Sequence, residues 1–207
     1  MLVAMISGFK ASVQNELNAF FANLANQADL VRQASAQAFS KARQGFSATA
    51  FTRLNDRLLK LVDTHMTAPR RHGLRVVAAD ASKMQLFLQD ATRRCVREGV
   101  AMALYLPGLE MTLSAALHSP GIGEREMLLD HLDKLDVHDL LVLDRGYPAR
   151  WLLAYLTQRC IHFCVRVDAT GFVVVKRFLQ SGLLEQIVSL GAPDQKDCEA
   201  YGCERTP

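Results

Sequence analysis

The spacing of apolar residues changes character about a third of the way along the chain. Over the first ~65 residues, apolar side chains recur at three- and four-residue intervals with little Gly or Pro, which predicts helices. Leu17, Phe20, Phe21 and Leu24 form one such stripe. Ser35 precedes a second, through Ala36, Ala38, Phe39 and Ala42, which runs into Gln44-Gly45. Ser47 is placed to cap a third helix with Phe51, Leu54, Leu58, Leu59 and Val62 along its apolar face.

Ala68-Pro69-Arg70-Arg71-His72-Gly73 reads as a linker, and beyond it the pattern becomes that of strands. Leu74–Ala79 is a nearly continuous apolar run, as a buried strand requires. Val100–Leu106 and Met111–His118 follow, closed by Pro107-Gly108 and by Ser119-Pro120-Gly121, and the short connections predict an antiparallel meander. A helix is expected over Gly123–Leu135, burying Met127, Leu128, Leu132 and Leu135. Then come a strand at Asp139–Leu143, a helix at Ala149–Arg159 and a strand at Ile161–Val167. A further strand, Phe172–Val175, and a short helical piece ending near Leu190 are predicted next; the last ~17 residues are polar, without periodicity, and are expected to bury nothing. Three strands, helix, strand, helix, strand is the ribonuclease H-like order. The expected fold class is therefore α/β, a partial ribonuclease H-like mixed sheet preceded by a small all-α domain. The boundaries expected are 1–68 for the helical domain, 69–170 for the sheet domain and 171–207 for the start of a β-rich insertion and a tail.

Half of the 207 residues are hydrophobic and 22% are charged, a globular composition. No run approaches the ~18–20 uncharged apolar residues of a membrane span. The N-terminus lacks the pattern of a secretory signal, so a cytoplasmic location is expected. The net charge of +3 is unevenly spread: residues 1–100 carry 14 Lys/Arg against 7 Asp/Glu, and residues 101–150 carry 4 against 8. A basic front half suits contact with phosphate backbones, and it equally suits a solvated helical surface. Arg43, Arg53, Arg57 and Lys60 lie on or near the second and third helices, where one helix could be set against DNA. The five cysteines, odd in number and scattered, form no disulfide framework and are expected to be reduced. Cys160, His162 and Cys164 alternate along a strand; three soft ligands fall short of a closed zinc site, and they are read as packing residues.

Asp80 follows one buried run, and Asp144 follows another, Leu140–Leu143, so each is expected at or near a strand end. In a ribonuclease H-like sheet those strands are neighbours, which would bring two carboxylates to one edge. Such a pair repels itself unless hydrated, protonated or bound to a divalent cation. Mg²⁺, with Mn²⁺ as an alternative, suits hard oxygen ligands and could serve phosphodiester chemistry. Either aspartate alone is also an ordinary residue for starting a turn.

These segments resemble a known family. Leu141-Val142-Leu143-Asp144-Arg145-Gly146-Tyr147 is similar to the second-aspartate segment of IS4-type DDE transposases, including the Arg-Gly-Tyr. Val77-Ala78-Ala79-Asp80-Ala81-Ser82 resembles their first-aspartate segment, with Ala81 where the family has Gly. Phe163-Cys164-Val165-Arg166-Val167 resembles the strand that follows, and Ala38-Phe39-Ser40-Lys41-Ala42-Arg43 the N-terminal helix segment. The resemblance spans roughly residues 30–190. It implies Mg²⁺-dependent hydrolysis of DNA at transposon ends and strand transfer by the freed 3′-hydroxyl. Asp80 and Asp144 would be the catalytic metal ligands. Arg145 and Tyr147 would position phosphate or substrate, or else serve as a turn-stabilising ion pair and a packed ring. Gly146 is explained by a turn that excludes a side chain.

The family's third carboxylate lies in a Tyr-x-x-Arg-x-x-x-Glu-x-x-x-x-x-x-Lys segment. None of Tyr105, Tyr147, Tyr155 or Tyr201 begins it, and Glu185, Glu199 and Glu204 lack its context. A reading frame cut off before that segment, and no cleavage by this chain alone, are the expectations. The partner expected is double-stranded DNA at transposon ends, with a homodimer as a second candidate and no membrane. Two alternatives stand beside a transposase: a non-catalytic DNA-binding or dimerising regulator, and a ribonuclease H-like Mg²⁺ nuclease whose remaining acid the sequence does not single out.

Overall fold

The computed structural model describes residues 12–26, 33–89, 94–169 and 171–205. The helical reading of the front end falls partly on 1–11 and 27–32, and that of the tail on 206–207, outside the described residues. The chain divides into two compact units, Met1–Leu54 and Asn55–Pro207.

In the first unit, α1 (Val13–Ala25) begins at Ser12, whose side chain accepts from the Asn15 N–H. It ends at Asn26 in the left-handed region, a conformation that Asn tolerates better than most residues. Ser35 caps α2 (Ala36–Gln44) by accepting from the Ala38 N–H at 3.0 Å. Gln14 joins the two helices: its Nε2 donates to the Ala34 carbonyl at 2.9 Å and its Oε1 accepts from the Ala36 N–H at 2.8 Å. Leu17 and Phe39 form a small buried core flanked by Phe20 and Phe21, whose rings meet edge-to-face. Leu24, expected in that stripe, is exposed. In α3 (Thr49–His65) the expected stripe is also largely outside a core: Phe51, Leu54 and Leu58 are exposed, and Leu59 alone of the five packs against the main cluster.

The second unit is built on a six-stranded sheet. The expected linker contains a strand instead. β1 (Arg70–Arg71) pairs with the start of β2 (Leu74–Gln89) across His72 and Gly73, both at positive φ. A two-residue loop of that kind matches the strand twist of a tight hairpin. β2, β3 (Arg94–Leu106) and β4 (Met111–His118) form the expected antiparallel meander. β2 and β3 run further than the apolar pattern suggested, pairing continuously from Ala78↔Tyr105 to Gln89↔Arg94. On the other side of β2, β5 (Asp139–Leu143) is parallel, and β6 (His162–Val165) is parallel to β5. The order β4-β3-β2-β5-β6, with α4 (Glu124–Leu129) and a 3₁₀ turn (Leu132–Lys134) before β5 and α5 (Arg150–Gln158) after it, is a ribonuclease H-like mixed sheet. No helix among the described residues is long and apolar enough to cross a membrane.

The core follows the period-two alternation of the strands. Val77 and Ala79 of β2, Met102, Leu104 and Leu106 of β3, and Leu141 and Leu143 of β5 are buried with Met127, Leu128 and Leu132 and with Trp151, Leu152 and Leu156 of α5. Each such aliphatic side chain contributes about 1.5–3 kcal/mol on burial. Three expectations about the later chain fail. Val173–Ser181 is a helix, α6, with Phe172 at its N-cap and Gly182 in the left-handed region at its end. The Val-Val-Val run favoured a strand locally, but the Phe172 carbonyl accepts from the Val175 and Lys176 N–H groups, which winds the first turn. No helix is found over 183–190, and the tail, expected to be featureless, forms α7 (Gln195–Tyr201). It buries Cys198 and Cys203 in the core and stacks Tyr201 on Trp151 with ring centroids 3.8 Å apart. Its apolar residues are too few to register as periodicity, yet they meet a ready surface on α5.

Two polar inclusions organise the sheet. Asp139, 2% exposed, opens β5 opposite its register partner Arg75. Arg75 Nε and Nη2 donate to its two carboxylate oxygens at 2.7 and 2.8 Å, and the Asp136 N–H donates at 2.8 Å. This bidentate bond raises the Arg75 pKa above its usual value, against the opposing effect of burial. The second inclusion is His131, 2% exposed, whose Nδ1 lies 2.8 Å from Ser114 Oγ on β4, with His118 stacked edge-on at 6.0 Å.

Replacing Arg75 by Ala would strand a buried carboxylate. Arg75→Ala is expected to lower the unfolding free energy by about 3–5 kcal/mol in urea denaturation. Burial, and then the neighbouring His118, hold His131 below its usual 6.5. Asp130 and Asp133 oppose the shift and Lys134 adds to it. The unfolded chain therefore binds this proton more readily than the folded one. The contribution is complete above about pH 6.5 and is lost as pH falls through the lower folded value. Urea midpoints should fall between about pH 7 and pH 5, and His131→Gln should flatten that slope.

Candidate acidic site at the end of β5

The parallel pairing of β2 and β5 matches Arg75 with Asp139 and continues to Ala78 with Val142. Carrying the register two residues further sets Asp80 level with Asp144. Neighbouring strands lie about 4.8 Å apart, so the topology alone brings these distant residues to one place. Both also belong to the alternate row opposite the fully buried Val77, Ala79, Leu141 and Leu143. They differ in setting. Asp144 is the first residue beyond β5, as expected. Asp80 is not at a strand end: it lies inside β2, paired with Ala103 of β3. It emerges because β5 stops there while β2 continues along β3.

Both carboxylates are exposed. Ser82 Oγ approaches Asp80 Oδ2 at 3.5 Å, a long contact. Arg166, the first residue after β6, places Nη1 3.6 Å from Asp144 Oδ1, with both side chains largely in solvent. An ion pair of that kind stabilises little, at most about 1 kcal/mol. Its position is nevertheless set by the backbone, because the Arg166 N–H donates to the Leu143 carbonyl at 2.9 Å.

The segment after Asp144 is a turn closed by the Tyr147 N–H donating to the Asp144 carbonyl at 3.1 Å. Arg145 and Gly146 are exposed and Tyr147 is 2% exposed. The Tyr147 ring is packed in the core, with its hydroxyl 3.6 Å from Met102 Sδ. Burial pushes its phenol well above the usual 10, and Glu124, Asp80 and Asp144 add to the shift. Of the two roles considered for Tyr147, the geometry is that of the packed ring. Arg125, which the sequence did not single out, clamps the turn by donating from Nε to the Tyr147 carbonyl at 3.0 Å and from Nη2 to that of Pro148 at 3.4 Å.

Glu124 is a second residue missed in the sequence. It opens α4 and reaches Gly146, where an added Cβ would stand 3.1 Å from its Oε2. It lines two clefts: one of about 270 Å³ with Gly146, Trp151 and Tyr201, the other of about 200 Å³ with Ala81, Lys83 and Gly99. Glu124 therefore stands between the neighbour of Asp80 and the turn after Asp144. Nothing in the sequence distinguishes Glu124, because acids that open helices are common for dipole reasons alone. Among the described residues, no three His, Cys, Asp or Glu side chains are grouped closely enough to hold a metal ion.

The other candidates lie elsewhere. Arg43 is in α2, and Arg53 and Arg57 are four residues apart on α3; all three are exposed. Cys160, His162 and Cys164, read as packing residues, are exposed too: His162 and Cys164 share one row of the edge strand β6, and Cys160 lies in the turn before it at positive φ.

No family model matches the chain, and no curated protein matches it. Among solved structures, the Mos1 transposase paired-end complex with left transposon end is similar, at a TM-score of 0.35 and 10% identity over 90% of this chain and 70% of that one.

Tyr147→Phe should cost less than about 1.5 kcal/mol, since it removes one long contact to sulfur and keeps the volume. Tyr147→Ala should cost about 3–5 kcal/mol, both read from urea unfolding.

Proposed function

We propose that this chain is related to DNA transposases of the DDE type and binds DNA, with Asp80 and Asp144 as ligands for the divalent cation of their phosphodiester chemistry. One observation supports the reading: the parallel register of β2 on β5, paired as far as Ala78↔Val142, would, if carried two residues further, set Asp80 level with Asp144, the residue after β5. Exposed carboxylates are hard oxygen donors that suit Mg²⁺ or Mn²⁺, with water completing the shell. When bound, the ion would lower the pKa of a nucleophilic water or 3′-hydroxyl and offset charge on the leaving oxygen.

The chain's own residues supply orientation and charge. Arg145 and Arg166 are exposed beside Asp144 and suit bidentate contact with phosphate. Arg125 fixes the turn that carries Asp144, so it is a positioning residue. Arg43, Arg53 and Arg57 are proposed contacts to the DNA backbone, which would make binding salt-sensitive. A homodimer is proposed as a further partner state on the resemblance alone.

The IS4-type third carboxylate has no counterpart by motif in these residues. The chain is accordingly proposed to bind transposon ends without cutting them by itself. A transposase-derived regulator that competes for ends is the non-catalytic form of the same reading. A second reading, a ribonuclease H-like nuclease, is favoured by Glu124, a third acid on α4 between Ala81 and Gly146.

Calorimetric titration with Mn²⁺, together with cleavage of labelled duplex DNA in Mg²⁺, tests these readings. Asp80→Asn and Asp144→Asn should each weaken Mn²⁺ binding at least tenfold. No difference between them and the native chain would defeat the proposal. DNA binding that declines with salt and without cleavage supports the transposase-derived reading. Cleavage abolished by Glu124→Gln supports the nuclease.

A further inference from the structure

We infer that Cys198 and Cys203 are a dithiol pair that a hydroperoxide closes into an intrachain disulfide, locking the end of α7 and the Tyr201 ring it presents. The geometry comes from how the helix stops. Gly202 takes the left-handed conformation, φ 66° and ψ 33°, and turns the chain back on itself. Its N–H and that of Cys203 both donate to the Cys198 carbonyl, at 2.9 and 3.2 Å. In a helix end of this kind the residue after the reversal packs on the one five positions earlier. Here both of those residues are cysteines.

Both thiols are buried in the same cluster, at 7% and 6% exposure, and both are free. Burial raises the Cys203 thiol, and the neighbouring Cys198 adds to the shift. A disulfide requires α-carbons about 4.4–6.8 Å apart, and a reversal that already joins the two residues by a backbone hydrogen bond needs little further movement. Cys160 and Cys164, by contrast, are exposed on the far side of a turn and along an edge strand.

The residue between them gives the closure a consequence. Tyr201 stacks on Trp151 with an interplanar angle of 13°, and its hydroxyl donates to Glu126 Oε1 at 2.7 Å. Those three residues line the cleft that also holds Glu124 and Gly146. Closing the pair would therefore fix one wall of that cleft. It involves neither Asp80 nor Asp144, and its readouts are thiol alkylation and fluorescence, so its test is separate from that reading.

The reaction balances with the hydroperoxide as oxidant. One thiolate attacks the peroxide oxygen, breaking the O–O bond, and becomes a sulfenic acid while hydroxide leaves and takes a proton. The second thiol attacks the sulfenic sulfur; the S–S bond forms, the S–O bond breaks and water departs with the remaining protons. Each sulfur is oxidised by one electron and the peroxide is reduced by two.

The full chain treated with hydrogen peroxide, alkylated with iodoacetamide under denaturing conditions and digested with trypsin would settle the matter. Cleavage after Lys196 and Arg205 yields a peptide, 197–205, containing both cysteines and no other. It should escape alkylation entirely, be lighter by two hydrogens than the reduced peptide, and regain both alkylation sites after dithiothreitol. Trp151 is the single tryptophan, so its fluorescence should become harder to quench with acrylamide on oxidation. A 197–205 peptide that still takes two alkyl groups, bears sulfinic acid, or is joined to another cysteine peptide would overturn the pairing. Unchanged quenching in a fully closed pair would overturn its effect on Tyr201.

Discussion

The parallel register of β2 on β5 is the constraint on which the rest of this protein depends. It is set by a buried ion pair at one end of the strands: Arg75 and Asp139 are direct partners, joined by two hydrogen bonds. Five residues further along the chain from each partner stand Asp80, within β2, and Asp144, just past the end of β5. A slip by one residue would turn every buried side chain of β5 outward and part the two aspartates as well. Stability and the candidate chemistry are thus two consequences of one alignment. A buried charge pair is seldom more stabilising than a packed apolar one, so its value here lies in specifying which residues face each other.

The site takes its character from an asymmetry in strand length. β5 ends at Leu143, whereas β2 goes on along β3 as far as Gln89. Asp80 is thereby exposed on a strand that is itself firmly held, and Asp144 begins a turn clamped by Arg125 and anchored by the buried Tyr147 ring. Each carboxylate is exposed while its backbone is held by hydrogen bonds, Asp80 in the β2–β3 ladder and Asp144 in the turn closed by the Tyr147 N–H. Glu124 reaches Gly146 in the turn after Asp144 from α4, a different element.

The strand-helix succession was legible because apolar runs such as Leu74–Ala79 and Leu140–Leu143 report burial on both faces of a sheet, and Pro-Gly pairs report its turns. The lengths of β2 and β3 were not, since residues 81–89 and 94–99 mix polar and apolar residues as an exposed ribbon does. α6 was misread because three valines favour a strand locally, while a helix was decided by where the chain turned at Phe172 and Gly182. α7 was missed because its few apolar residues make no periodic stripe; they count only against the surface of Trp151 and Leu156 that receives them.

By itself, the sequence determined the order of elements, the mixed sheet that this order implies, and the identity of Asp80 and Asp144 as strand-associated carboxylates. Those properties depend on local spacing and on the physics of burial, which neighbouring residues record. Tertiary structure alone decided that Asp80 lies within a strand, that Tyr147 is a packing residue, and that Arg125 and Glu124 meet the turn after Asp144. The reason is common to all three: each is a contact between segments whose separation along the chain leaves no periodic trace.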